Sequence, residues 1–260
     1  MRRWGWMIVF TVGCRSSGDD LTRTACETEE KTYTIDEREL LWIQGGAQRG
    51  PLWILMHGYG GRPQTMASST RVRDEARRRG VHVVLPAGLK APGDNRRSWN
   101  AGDCCSFGAM DRDDEAALLR LRDRLADLDC VDSERIFLGG FSNGGLMSYR
   151  LACAAADRFA GVAVVGATMG FDPATCSPSR PLPVSHIHGQ QDTVIPLVGG
   201  KGPFVDDIVP VADALQPFVV AAGCASLETC PSVQVDVRAN LAHRWPADAT
   251  AVSLDRMGLE

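Results

Sequence analysis

Arg135-Ile-Phe-Leu-Gly-Gly-Phe-Ser-Asn-Gly-Gly-Leu-Met-Ser-Tyr-Arg150 is the stretch whose reading decides the fold. Ile136 to Leu138 is a short apolar run, Gly139 to Gly145 is a turn, and a helix follows from Gly144 onward. Within it, Gly140-Phe141-Ser142-Asn143-Gly144 fits G-x-S-x-G, a sharp strand-to-helix turn that exposes a nucleophilic serine. The outer glycines have a physical reason, because the turn leaves no room for a Cβ where backbones pass close together. A chain with 27 glycines can produce such a pentapeptide by chance. The flanking apolar strand and amphipathic helix are what give it weight.

The chain has 260 residues, 44% of them hydrophobic, enough for one large core without a second domain. A net charge of −4 argues against nucleic acid as a partner. Arg71 to Arg79 is the densest basic run, and Asp74 and Glu75 interleave it, as on a solvated helix face.

The first residues read as a targeting segment. Arg2 and Arg3 precede an apolar stretch from Trp4 to Val12, too short for a permanent membrane span. Thr11-Val12-Gly13-Cys14 is similar to a bacterial lipoprotein cleavage box, with Thr11 where leucine is usual, so Cys14 is the candidate lipidation site. Ordinary secretion with cleavage nearby is the plainer alternative. The expected organisation is a signal peptide over 1–13, a polar tether over 14–25 and one domain over 26–260. Membrane attachment would then occur only through Cys14. With Cys14 set aside, eight of the nine cysteines remain, an even number that suits disulfides in an oxidising compartment. Zinc is the competing reading, but adjacent Cys104 and Cys105 lack the C-x₂-C spacing of a structural site. No metal and no cofactor is expected.

Lys31 to Ile35 and Leu40 to Ile43 alternate about a charged turn and predict an antiparallel hairpin. Leu52 to Met56 is continuously apolar, as in a strand buried on both faces. It ends in His57-Gly-Tyr-Gly-Gly61. A helix is expected over 64–79, a strand over 81–85, and then a long aperiodic loop over 86–112. A helix over 113–128 precedes the serine strand. Strands over 161–166, 184–188 and 233–237 follow, with helices over 206–222, where Pro217 should introduce a kink, and 248–259. Strands alternating with helices after an opening hairpin imply a mostly parallel sheet with helices on both faces. Sites in such sheets lie beyond the carboxyl ends of the strands.

That rule gathers His57 to Gly61, Ser142, Asp192 and His243. A serine hydroxyl needs a base to take its proton, and the base needs an acid to orient it. Of five histidines, only His243 follows both Ser142 and the acid in the order serine, acid, histidine. His82, His186 and His188 fall on strands and read as core residues, and His57 as the start of a turn. Asp192 follows the strand where that order places the acid; the bland alternative is a loop turn or helix cap. An oxyanion would need donors. The backbone N–H of Asn143 is one, and that of Tyr59, on the glycine-rich loop, is nominated as the other.

These stretches resemble the secreted esterase family of polyhydroxybutyrate depolymerases, feruloyl esterases and acetyl xylan esterases. The matching motifs are His57-Gly-Tyr-Gly-Gly61, Ser98-Trp-Asn-Ala-Gly102 with Cys104-Cys105, Cys130-Val-Asp132 and Gly140-Phe-Ser-Asn-Gly-Gly145. Tyr149-Arg-Leu-Ala-Cys153, His186-Ile-His-Gly189 with Asp192, and His243-Arg-Trp-Pro246 complete them, over residues 50–246. The resemblance implies an α/β-hydrolase fold and a Ser142, Asp192, His243 triad, with Trp99, Trp245 and the 86–112 loop lining the cleft. It also implies bonds Cys153–Cys176 and Cys224–Cys230, and one from Cys130 to Cys104 or Cys105. The chain departs from the family at Asn240-Leu241-Ala242, where a glycine run is usual, and in a short segment after His243.

The expected function is that of an extracytoplasmic serine esterase acting on carboxylic esters, with polyhydroxybutyrate-type polyester substrates first and feruloyl or acetyl xylan esters second. A catalytically silent binding protein on the same fold is the reading of another class, and a peptidase a third. The sequence leaves the oligomeric state open.

Overall fold

The computed structural model describes residues 17–90, 93, 95–105 and 111–260. Cys14 and the expected signal segment lie outside these residues. The strands are β1 (Glu30–Ile35), β2 (Arg38–Ile43), β3 (Gly50–Met56), β4 (His82–Pro86), the short β5 (Leu89–Lys90) and β6 (Arg97–Ser98), β7 (Val131–Phe141), β8 (Gly161–Val165), β9 (Val184–Gly189) and β10 (Val233–Arg238). Eight of them form one sheet in the order β1-β2-β4-β3-β7-β8-β9-β10, while β5 and β6 pair separately. β1, β2 and β4 are joined antiparallel, and every pairing from β4 through β3 to β10 is parallel. The opening hairpin and the parallel body both follow the sequence pattern.

The helices are α1 (Ser17–Thr24), α2 (Pro63–Ser69), α3 (Val72–Arg79), α4 (Asp114–Ala126), α5 (Asn143–Ala154), α6 (Val211–Ala221) and α7 (Ala249–Arg256). Alternation along β3 divides the core between the two faces. Leu52, Ile54 and Met56 join Leu118 of α4, Leu146 of α5 and Phe218 of α6. Trp53 and Leu55 face the other way, onto Met66 of α2, Ala76 of α3 and Leu254 of α7. Central strands buried on both sides need no polar alternation, and β3 has none.

Four local expectations change. The single helix expected over 64–79 breaks at Arg71, whose φ is 57°. The Thr70 hydroxyl bonds back to the Met66 carbonyl at 2.7 Å, and the Thr70 carbonyl accepts from Thr250 instead of continuing a helix. Residues 206–210 are not helical, because Ile208 pairs with Gly200 in both directions at 2.7 and 2.9 Å. α6 therefore starts only after Pro210, and it runs on through Pro217 to Ala221. The long loop contains the β5–β6 hairpin.

The last change concerns the tether. Residues 17–24 are helical, and Leu21 and Ala25 are fully buried. Thr24 Oγ1 lies 2.8 Å from the Tyr33 hydroxyl, and Cys26 bonds to Cys130. The packed body thus starts before residue 26, since burying Leu21 and Ala25 takes their apolar surface out of water.

The eight described cysteines form four disulfides. Cys153–Cys176 and Cys224–Cys230 match the pairs the resemblance implied. Cys130 pairs with Cys26, and Cys104 pairs with its neighbour Cys105, not with Cys130. The reason is the length of β7. Cys130 precedes its first residue, whereas Cys104 and Cys105 border the cavity beyond its last. A disulfide needs Cα atoms within about 7 Å, which that separation forbids.

Candidate active site

β7 ends at Phe141 and α5 begins at Asn143, so Ser142 makes the turn alone. Its φ of 52° and ψ of −125° are unusual for a residue with a side chain, a strain of about 1–3 kcal/mol held by its surroundings. The two outer glycines of the motif are required by contact. A Cβ on Gly140 would lie 2.3 Å from the Gly144 carbonyl, and one on Gly144 would lie 2.3 Å from the Met56 oxygen. The serine amide is fixed by the Val165 carbonyl at 3.1 Å.

Asp192 sits in the turn after β9 and is almost fully buried. Its Oδ1 accepts the backbone N–H groups of Val194 and Ile195 at 2.9 and 2.8 Å. Its Oδ2 lies 2.7 Å from His243 Nδ1. Burial alone would raise this carboxyl, but the His243 and Ile195 hydrogen bonds outweigh it and hold the group below its usual range. His243 Nε2 in turn lies 2.9 Å from Ser142 Oγ. The three residues taken from distant parts of the sequence form one continuous hydrogen-bonded line.

The unusual Asn240-Leu241-Ala242 segment has its own anchor. Leu241 is buried against Val165, Ile187 and Ala249, and its carbonyl accepts the Gln191 N–H at 3.0 Å. An apolar plug therefore holds the histidine loop where a glycine run was expected. Phe141 packs on the His243 ring at 4.9 Å.

The glycine-rich loop after β3 is braced by residues whose role sequence reasoning missed. His57 Nε2 accepts the Gly88 N–H at 3.0 Å, so Nδ1 carries the proton and donates to the Gly58 carbonyl at 2.7 Å. Burial pushes the His57 imidazole down to about 4, partly offset by the Gly58 bond, which keeps the ring neutral. The Asn143 side chain clasps the Trp99 backbone at 2.7 and 3.1 Å, and the Trp99 indole donates to the His57 carbonyl at 2.9 Å. The start of α5 is thereby tied to the loop that carries Tyr59. The Asn143 amide is among the first N–H groups of α5, which have no acceptor within the helix.

Two expected cleft residues are placed elsewhere. Trp99 is fully buried and supports the loop from behind. Trp245 packs against Trp53 and Phe141, and its indole donates to Thr250 at 3.1 Å. Trp99 is taken into the core, while Trp245 stays half-buried at its edge. The cavity next to Ser142 and His243 measures about 550 Å³ and is walled by Tyr59, the Cys104–Cys105 disulfide, Leu146, Phe171, Phe204 and Ile208. Phe204 carried no sequence signal, and Ile208 fell in the segment expected to be helical, so neither read as a cavity residue. The 86–112 loop does reach the cavity, pinned by the Asp103 N–H to the Gly170 carbonyl at 2.7 Å.

A mostly parallel sheet with a strained serine turn and this hydrogen-bonded line defines an α/β-hydrolase fold. A family profile described as phospholipase/carboxylesterase matches residues 43–202, and the chain belongs to that family. It is 32% identical over 158 residues to feruloyl esterase B of Piromyces equi, covering 60% of this chain and 28% of that protein. With feruloyl esterase C of Emericella nidulans it shares 37% over 129 residues, 48% of this chain and 41% of the relative. The chain thus matches less than half the length of either. An acetyl xylan esterase from Aspergillus awamori superposes with a TM-score of 0.67 over 90% of this chain and 100% of its own, at 11% identity. That likeness speaks for the fold.

Proposed function

We propose that the chain is a serine esterase that cleaves carboxylic esters through an acyl-enzyme on Ser142. The observation that carries this reading is the line from Ser142 Oγ through His243 to Asp192, at 2.9 and 2.7 Å. In the first step Ser142 Oγ attacks the ester carbonyl carbon while His243 Nε2 takes its proton. Asp192 holds the resulting imidazolium by its short bond to Nδ1. The N–H groups of Asn143 and Tyr59 are proposed to receive the negative oxygen, worth about 3–4 kcal/mol per donor in comparable sites. His243 then protonates the departing alcohol, and water attacks the acyl-enzyme by the reverse route.

For substrate we propose feruloyl or acetyl esters on plant polysaccharide. Relatives bearing those activities in their names support this, as does an apolar cavity large enough for an aromatic acyl group. Polyester of the hydroxybutyrate type is the second reading, supported by the motif resemblance alone. An extracytoplasmic location is part of the proposal, and four disulfides support it.

The test compares methyl ferulate, acetylated xylan, hydroxybutyrate trimer and p-nitrophenyl acetate, each with the native chain and Ser142→Ala. Hydrolysis of at least one, lost in the variant, together with fluorophosphonate labelling at Ser142, is expected. Undiminished turnover in Ser142→Ala would overturn the reading.

A further inference from the structure

Asp192 faces two histidines. His243 Nδ1 approaches Oδ2 at 2.7 Å, and His188 Nε2 lies 3.7 Å from that same oxygen. A carboxylate stabilises one cation well, so a charged His188 would draw Asp192 away from the imidazolium that must form on His243. Something must decide between them.

The decision is written in a buried hydrogen-bonded chain. His188 Nε2 lies 2.8 Å from the Ile195 carbonyl, which can only accept, so Nε2 carries the proton. His188 Nδ1 is then an acceptor, and His186 Nε2 donates to it at 3.0 Å. His186 Nδ1 is left as an acceptor for the Tyr149 hydroxyl at 2.6 Å. Every proton in the row points toward the Ile195–Asp192 turn. His186, His188 and Tyr149 are all fully buried. The two rings stack at 5.2 Å, as strand neighbours two residues apart should.

To become charged, His188 must gain a proton at Nδ1. His186 would then have to reverse its tautomer and donate from Nδ1 to the Tyr149 oxygen. The phenol would lose its acceptor and turn its O–H into an apolar wall, because among the described residues His186 is the hydrogen-bond partner shown for it. A buried hydroxyl left unpaired is costly. We infer that Tyr149 and His186 are positioning residues that keep His188 uncharged, so that Asp192 serves His243 alone. The inference rests on the proposed Ser142 chemistry.

Surrounding groups agree. The titratable groups facing His188 are His186 on β9, Tyr149 on α5, Asp192 in the next turn and His243 after β10. Asp236 of β10 pairs in register with Ile187 and so takes the opposite face. The buried residues of α6 are all apolar, with Phe218 against Tyr149 at 5.8 Å, while Asp213 is exposed. β8 presents only glycine, valine and alanine. Burial, partly offset by the Ile195 bond, holds His188 below its ordinary range, and burial holds His186 further below.

The experiment is a kcat/KM profile on p-nitrophenyl acetate from pH 5 to 9 for the native chain, Tyr149→Phe and Tyr149→Phe/His188→Gln. Tyr149→Phe removes the donor that locks the row, so His188 gains its proton at a higher pH than in the native chain, though burial still holds it below the ordinary range. Its acid limb should therefore move up by about one pH unit, with activity at pH 9 within roughly threefold of native. The double variant, which has no ionisable group at 188, should return the limb to its native position. An unmoved limb in a folded Tyr149→Phe, or a limb that stays displaced in the double variant, overturns the inference.

Nitrogen-15 imidazole spectra of the native chain supply a second measurement that needs no variant to fold. Both His186 and His188 should show protons on Nε2 and stay neutral through the ordinary imidazole range near about 6.5. An Nδ1–H tautomer at either, or titration within that range, overturns the inference. Loss of all Ser142-dependent hydrolysis would remove the parent reading, and the spectra would still decide the protonation of the row.

Discussion

Replacing Asp192 by asparagine puts the proposed triad to its sharpest test, because the structure dictates which way the new side chain must turn. Oδ1 is met by two backbone donors, the N–H groups of Val194 and Ile195 at 2.9 and 2.8 Å. Only an oxygen can satisfy both, so the carboxamide keeps its oxygen there and presents its NH₂ to His243. His243 Nδ1, now facing a donor, must accept. Its proton then sits on Nε2, 2.9 Å from Ser142 Oγ, where it can no longer take the serine proton. The expected loss in kcat is about 10⁴-fold, close to 5.5 kcal/mol at 1.36 kcal/mol per decade. Shape and both backbone bonds survive, so stability should change by only about 1 kcal/mol. Stopped-flow release of p-nitrophenol, run beside thermal unfolding, separates the two effects. Retention of a tenth or more of native kcat would refute the reasoning, as would activity that falls only in step with unfolding.

Two further outcomes concern stability. The unfolded chain takes up a proton at His57 near pH 6.5, whereas the folded chain does so at about 4. The unfolded state therefore binds more protons in that window, and stability should fall by about 3 kcal/mol as pH is lowered through it. A melting temperature flat from pH 6.5 to 4 in the native chain, or a slope unchanged in His57→Gln, would contradict this. Cys26–Cys130 closes a loop of 104 residues. Changing both to serine should cost about 4–5 kcal/mol by loop entropy, read as a drop in the denaturant midpoint, and a loss below 1 kcal/mol would argue that α1 is held by packing alone.

Much of the sheet was legible because its signals are local. Alternation in the opening hairpin, unbroken apolar runs for β3 and β8, and glycines around Ser142 each follow from contacts within a few residues. The order serine, acid, histidine also survives in sequence, because strand succession in a parallel sheet is fixed by connectivity. Other features needed partners far away. The Arg71 break depends on Thr250, and the non-helical 206–210 segment depends on Gly200. Trp99 looked like a cleft residue by its motif, yet its indole is consumed by the His57 carbonyl.

The sequence by itself determined a nucleophile turn, the mostly parallel sheet and the candidate acid and base, since these rest on backbone sterics and periodicity. Only the tertiary structure decided that Cys130 meets Cys26 and that Leu241 plugs the histidine loop. It alone decided that Tyr149, His186 and His188 align their protons toward Asp192. His186 and His188 announced themselves in sequence as strand residues within a family motif and not as a proton row, because a hydrogen-bond direction is set by the acceptor at its end. That acceptor, the Ile195 carbonyl, is placed by a turn no local pattern specifies.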